Sequence, residues 1–123
     1  MPEVSFSLPP LPNSVRAARD RVRGFLDSWA TEEQRQTVVL LVSEVVTNAV
    51  RHAPGIVHVT VTVDSDRVLA QVRDTSPRPP CPRAADESGG RGIELLRLLA
   101  TRWGVERHPD DGKTIWFEVA EAR

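Results

Sequence analysis

This sequence lacks an excess of charge of either sign, a second cysteine and a long apolar run. Its 16 basic and 17 acidic residues nearly cancel, so composition gives no electrostatic case for nucleic acid or a membrane as a bulk partner. Cys81 is the only cysteine, which excludes a disulfide within the chain. Met1 is followed by Pro2 and Glu3, not by the apolar segment of a signal peptide, and no stretch is long enough to span a bilayer. These absences predict a cytoplasmic protein without direct nucleic acid or membrane contact.

The 123 residues are enough for one compact domain with its own core, and no internal repeat is visible. We therefore treat residues 1–123 as a single domain. Hydrophobic periodicity predicts helices over about 13–29, 31–53 and 93–100, and strands over 4–8, 56–63, 68–74, 103–107 and 114–119.

Turn and cap residues support these boundaries. Thr31 and Gln34 have the spacing of a capping box at the start of the second helix, and Asn13 or Ser14 is expected to cap the first. The second and third strands form one predicted antiparallel hairpin, and the fourth and fifth form another. Each strand has one apolar face. The pattern predicts an α/β (α+β) fold, a two-layer sandwich in which a mixed, mostly antiparallel sheet carries helices on one face.

The second helix carries a polar row along the edge of its apolar stripe. Apolar residues recur at 38, 41, 42, 45, 46, 49, 50 and 53, the spacing of a helix that lies on a core. Glu44, Asn48 and His52 follow one another at intervals of one turn beside this stripe. A glutamate can deprotonate an attacking hydroxyl, and the amide oxygen of Asn48 suits Mg²⁺. The alternative for such a row is a solvated helix edge.

Two further residues lie at strand ends. Asp74 shares its strand face with Val68, Ala70 and Val72, which are expected to be buried. Burial of an unpaired carboxylate costs free energy, so Asp74 should have a hydrogen-bond donor, and the exocyclic amine of adenine is a suitable one. Thr114 begins the last predicted strand and could share that ligand through its hydroxyl or a water. The alternatives are an aspartate that accepts turn amides and an ordinary strand threonine.

A long irregular loop separates the two hairpins. It is rich in proline and ends in Gly89-Gly90-Arg91-Gly92, directly before the third helix. Free amides at a helix N-terminus favour an anion such as phosphate, and glycine allows close approach. A simple hinge is the alternative. The sequence contains neither a dinucleotide-binding fingerprint nor a Walker A motif.

Taken in order, these segments resemble the GHKL ATPase/kinase superfamily. Glu44-x-x-x-Asn48-Ala49-x-x-His52-Ala53 looks like its N box, and Asp74-Thr75-Ser76-Pro77 stands where its first glycine box begins. Gly90-Arg91-Gly92-Ile93-x-Leu95 is similar to the second box, and Gly112-Lys113-Thr114 to the closing element. The short length resembles the anti-sigma-factor serine/threonine kinases of partner-switching systems.

The resemblance implies a Bergerat-type, histidine-kinase-like ATPase domain with a mobile lid over about 75–91. It implies ATP and Mg²⁺, with Glu44 as general base and Asn48 as the Mg²⁺ ligand. The residues expected to contact ATP are Asn48, His52, Asp74, Gly90, Arg91, Gly92 and Thr114. The implied activity is phosphorylation of a small anti-sigma antagonist protein, combined with sequestration of a sigma factor; a homodimer is one possible state.

One departure from the family pattern leaves alternatives open. The first box normally has two glycines after its aspartate, whereas Ser76 and Pro77 stand here. A non-catalytic ATP-binding partner-switching module is therefore a second hypothesis. A detached histidine-kinase catalytic domain is a third, which is weakened because no helical segment offers a phospho-accepting histidine.

Overall fold

A computed structural model of the chain describes residues 1–52, 55–74, 90–109 and 112–121. These ranges contain three helices, α1 (Asn13–Leu26), α2 (Glu32–His52) and α3 (Gly90–Leu99). They also contain five strands, β1 (Glu3–Leu8), β2 (Val57–Asp64), β3 (Arg67–Asp74), β4 (Arg102–His108) and β5 (Gly112–Ala120). The predictions for Ser76, Pro77, Cys81 and the rest of 75–89 concern residues outside the described ranges.

The strands form one sheet in the order β1-β2-β3-β5-β4. All four pairings are antiparallel, so the described sheet is antiparallel throughout and has no parallel pair. The helices pack on one another and on one face of this sheet, with α2 against β3 and β5 and α3 against α2. The predicted two-layer sandwich with helices on one face is confirmed.

Alternation along the strands places the core between the sheet and α2. Every second residue of β2, from Val57 to Val63, is buried, and the intervening residues are half-exposed. The stripe of α2 faces these strands, and its side chains from Val38 to Val46 are almost completely buried. A polar side chain at the edge of this stripe therefore lies beside the core without entering it.

Gln34 fixes the start of α2 to the sheet. Its backbone N–H donates to Thr31 Oγ1 at 3.1 Å, and its Oε1 accepts from the Thr31 backbone N–H at 3.0 Å, so the predicted capping box is formed. Its Nε2 donates to the carbonyl of Asp66 at 2.8 Å and to that of Val119 at 3.1 Å. One amide thus joins the start of α2 to the β2–β3 turn and to the end of β5.

Two details of α1 differ from the prediction. The helix begins directly after Pro12, whose side chain makes no cap hydrogen bond, and Ser14 Oγ donates to the Pro9 carbonyl at 2.7 Å. The expected cap by Asn13 or Ser14 is therefore wrong. The helix also ends at Leu26, and Trp29 is 53% exposed, because the chain turns there toward the start of α2.

Candidate functional site

The polar row of α2 lies on its C-terminal half. Glu44 and Asn48 are half-buried beside the apolar stripe, whereas His52 is exposed at the last residue of the helix. The spacing of four residues puts successive members on one side of the helix, one turn apart. Glu44 and Asn48 are thus placed at the border between the core and the surface, as the sequence predicts, and His52 lies beyond it.

Asn48 meets the beginning of α3. Gly92 is buried in the first turn of that helix, and a Cβ atom built on it would lie 2.7 Å from Asn48 Nδ2. A side chain at position 92 would therefore displace the Asn48 amide. The first backbone N–H groups of a helix have no acceptor within the helix, and they favour an anion. The contact therefore brings the Asn48 amide to the start of α3, which begins with Gly90 and Arg91.

Asp74 forms the second cluster. It ends β3 on the helix-covered face, is only 4% exposed, and accepts a hydrogen bond from Lys113 Nζ to Oδ2 at 2.8 Å. Gly112 lies against it with φ of +93°, and a Cβ built there would be 2.5 Å from both the carbonyl oxygen and Oδ1 of Asp74. Glycine is needed at 112 both for this backbone conformation and for the space that the carboxylate occupies.

Thr114 does not share the position of Asp74. Asp74 pairs with Lys113, and Arg73 pairs with Thr114, so strand alternation directs the Thr114 side chain to the opposite face of the sheet. There its hydroxyl is 2.8 Å from His108 Nε2. Lys113 lies beside Asp74 on the helix-covered face, and the expected contact of Thr114 with ATP stays a prediction.

Lys113 is the residue that sequence analysis missed. The predicted strand began at Thr114, whereas β5 begins at Gly112. The sequence did contain a signal for the face of Lys113, because Ile115, Phe117 and Val119 alternate on the apolar face of this strand. Counting back two residues from Ile115 puts Lys113 on the same face as Asp74.

The two clusters lie toward the same end of the molecule. Gln34 fixes the start of α2 beside the beginning of β3 and the end of β5. The 21 residues of α2 extend about 31 Å, and the 8 residues of β3 about 26 Å, so α2 is long enough to cross the whole strand. Its C-terminal half, with Glu44 and Asn48, therefore leads toward the end where Asp74 lies.

The described residues offer a single amide oxygen, on Asn48, for a metal ion at the start of α3. Within the described ranges, no three His, Cys, Asp or Glu side chains gather into a metal-binding group. Mg²⁺ is often held by one or two protein oxygens together with the phosphates of a nucleotide. Asn48 beside the start of α3 fits that arrangement.

Comparison with known families agrees with this geometry. The family model for the histidine kinase-like ATPase domain matches residues 8–119. The match covers all three helices, strands β2 to β4, all of β5 except Ala120, and only Leu8 of β1. The chain therefore belongs to the histidine kinase-like ATPase domain family, and its resemblance to the GHKL superfamily is confirmed. Membership in an ATPase family implies that the chain binds ATP.

Solved structures show the same fold. One is the crystal structure of the RsbU and RsbW domains of Rv1364c from Mycobacterium tuberculosis, with a TM-score of 0.74 and 21% sequence identity. The match covers 100% of this chain and 34% of that one. No curated protein matches this chain. Among the helices of the described residues, none has the length and apolar character needed to cross a membrane.

Proposed function

We propose that this chain is an ATP-dependent protein serine/threonine kinase of the anti-sigma-factor type. It would transfer the γ-phosphate of ATP to a serine of a small antagonist protein, and would sequester a sigma factor in the cytoplasm. The observation that carries the proposal is the contact between Asn48 of α2 and Gly92 at the start of α3. The C-terminal half of α2, which carries Asn48, leads toward Asp74. In this proposal the start of α3 binds the phosphates, Asp74 reads the base, and α2 lies between them.

Each residue has a stated task in this proposal. Asp74 accepts a hydrogen bond from the exocyclic amine of adenine, and the backbone of Gly90, Arg91 and Gly92 receives the phosphates. Asn48 supplies an oxygen to Mg²⁺, which neutralises phosphate charge when it is bound. Glu44, one turn earlier on α2, accepts the proton of the attacking serine hydroxyl.

The antagonist must bring its serine to the nucleotide site, next to Glu44. The inclusion of the antagonist and the sigma factor in the proposal rests on the resemblance of the four motifs to anti-sigma-factor kinases. The shared fold with a structure that contains an RsbW domain agrees with it. A homodimer is compatible with the proposal, and sedimentation of the purified protein with and without ATP tests it.

Phosphate transfer is the decisive experiment. The purified chain is incubated with Mg-ATP and candidate antagonist proteins, and phosphoserine is detected on the partner. Glu44→Gln should slow transfer by about 10²–10⁴-fold, the usual contribution of a positioned base, while ATP affinity stays nearly unchanged. Glu33→Gln is the matched control, because Glu33 is exposed near the start of the same helix.

The outcomes separate the hypotheses. Transfer by Glu44→Gln at the normal rate would remove the assigned base. Tight ATP binding without transfer to any partner would favour the non-catalytic module, which Ser76 and Pro77 in the first glycine box already suggest. An acid-labile phosphate on a histidine would favour the detached histidine-kinase domain. Failure of Asp74→Asn to weaken ATP binding would overturn the site itself.

A further inference from the structure

The ammonium group of Lys113 has more donors than its one described contact uses. An ammonium carries three N–H donors, and among the described residues only Asp74 accepts from Lys113, at 2.8 Å. The Asp74 side chain is 5% exposed and that of Lys113 is 29% exposed. Asp74 is therefore a buried acceptor, and Lys113 is a partly exposed donor that a ligand can reach.

This pair matches one edge of adenine. The exocyclic amine of adenine is a donor, and the ring nitrogens on either side of it, N1 and N7, are acceptors. The carboxylate of Asp74 can accept a hydrogen bond from the amine. The adjacent ammonium of Lys113 can donate one to a ring nitrogen, so that both groups of the adenine edge have a partner. Thr114, the residue that the sequence suggested for this task, lies on the other face of the sheet, where it contacts His108.

We infer that Lys113 is a second base-reading residue, which donates a hydrogen bond to the N1 or N7 atom of adenine while Asp74 accepts from the amine. This inference rests on the proposed ATP site and adds a determinant of its base specificity. Lys113 is also the only lysine among 16 basic residues. A compact ammonium with rotatable donors can serve a carboxylate and a ligand together.

The competing explanation is that Lys113 only holds Asp74 in place. The two roles differ in a measurable way. A purely positioning lysine, when replaced, lowers the affinity for every adenine nucleotide by the same factor. A base-reading lysine also removes the ability to distinguish ATP from an analogue that lacks the acceptor nitrogen.

The test measures binding of ATP, 1-deaza-ATP and 7-deaza-ATP by calorimetry, to the unmodified chain and to Lys113→Met and Lys113→Arg. In the unmodified chain, the analogue that lacks the contacted nitrogen should bind about ten- to a hundredfold more weakly than ATP, the range for a hydrogen bond to a charged group. Lys113→Met should bind that analogue and ATP equally. Lys113→Arg, which keeps a donor, should retain part of the discrimination.

A matched control removes a neighbouring charge. Arg107 pairs with Lys113 across β4 and β5 and is exposed, so Arg107→Met changes net charge equally and should keep full discrimination. Equal binding of ATP and both analogues by the unmodified chain would overturn the inference without any variant. Equal discrimination in the unmodified chain and in Lys113→Met would also overturn it. Absence of ATP binding altogether would instead overturn the proposed function.

Discussion

The two ends of the sheet beneath α2 use buried polar side chains differently. At one end Gln34, 4% exposed, is neutral and donates to two backbone carbonyls. At the other end Asp74, also 4% exposed, carries a charge and is held by a lysine that solvent can reach. The comparison teaches that equally buried polar groups can have very different partners: two backbone carbonyls in one case and a partly exposed ammonium in the other. The second arrangement is the one that the proposed nucleotide site uses.

Replacement of Gln34 should give the largest loss of stability. Gln34→Ala leaves the carbonyls of Asp66 and Val119 without this donor and breaks the capping box, so we expect a loss of about 3 kcal/mol in the free energy of unfolding. Gln36→Ala is the matched control: Gln36 is exposed on the same helix and should change stability by less than about 0.5 kcal/mol. Urea denaturation measures both. Equal effects would contradict the assigned role.

Gly112→Ala should damage the other end of the sheet. The new Cβ would lie 2.5 Å from two oxygens of Asp74, in a backbone conformation with φ of +93° that alanine disfavours. We expect a loss of about 2 kcal/mol in stability and a fall in ATP affinity of about tenfold or more, because the carboxylate must shift. Thermal unfolding and nucleotide titration test this. A stability loss with unchanged ATP affinity would show that the position of Asp74 is not critical for the base.

Gly92→Ala should affect nucleotide binding more than folding. Its Cβ would lie 2.7 Å from Asn48 Nδ2, so the amide must move and ATP affinity should fall about tenfold, while adenosine, which lacks phosphates, should bind as before. Gly24→Ala is the control, because nothing lies within 4 Å of its Cβ. In the interior of α1 it should raise stability by about 0.5–1 kcal/mol. Equal losses of ATP and adenosine affinity in Gly92→Ala would place the damage at the base instead of the phosphates.

The smallest effect is expected at the β2–β3 turn, near Gln34. Ser65 has φ of +57°, a left-handed conformation that costs a residue with a side chain about 1–2 kcal/mol. Glycine removes that cost but is more flexible when unfolded, so Ser65→Gly should raise stability by about 0.5 kcal/mol. Chemical denaturation is sensitive enough to detect it. A loss of stability would mean that the serine side chain supports the turn.

Local patterns in the sequence predicted local structure well. The apolar stripe of α2, its capping box and the edge positions of Glu44 and Asn48 follow from residues a few positions apart. The period of two in β2 and β3 likewise predicted their hairpin, which has Val57 opposite Asp74. These features depend on interactions that a short window of sequence contains.

Features set by distant residues were harder to predict. Nothing local shows that β3 pairs with β5, because that pairing joins residues such as Asp74 and Lys113, 39 positions apart. The strand boundary at Gly112 depends on the same pairing, and so the predicted strand began at Thr114 and left out Lys113. Trp29 continues the apolar period of α1, but the turn into α2 ends the helix before it.

The Gln34 amide has a consequence for the order in which the chain can mature during synthesis. Domains form from the N-terminal side as the ribosome extends the chain, yet this amide needs the carbonyl of Val119, 85 positions later. A nascent chain that has released α2 but not β5 can bring Gln34 to Asp66 only. The hydrogen bond from Gln34 to Val119 can form only after the final strand has been translated. We therefore expect α2 to pack fully on the sheet, and the chain to retain a nucleotide, only after that point.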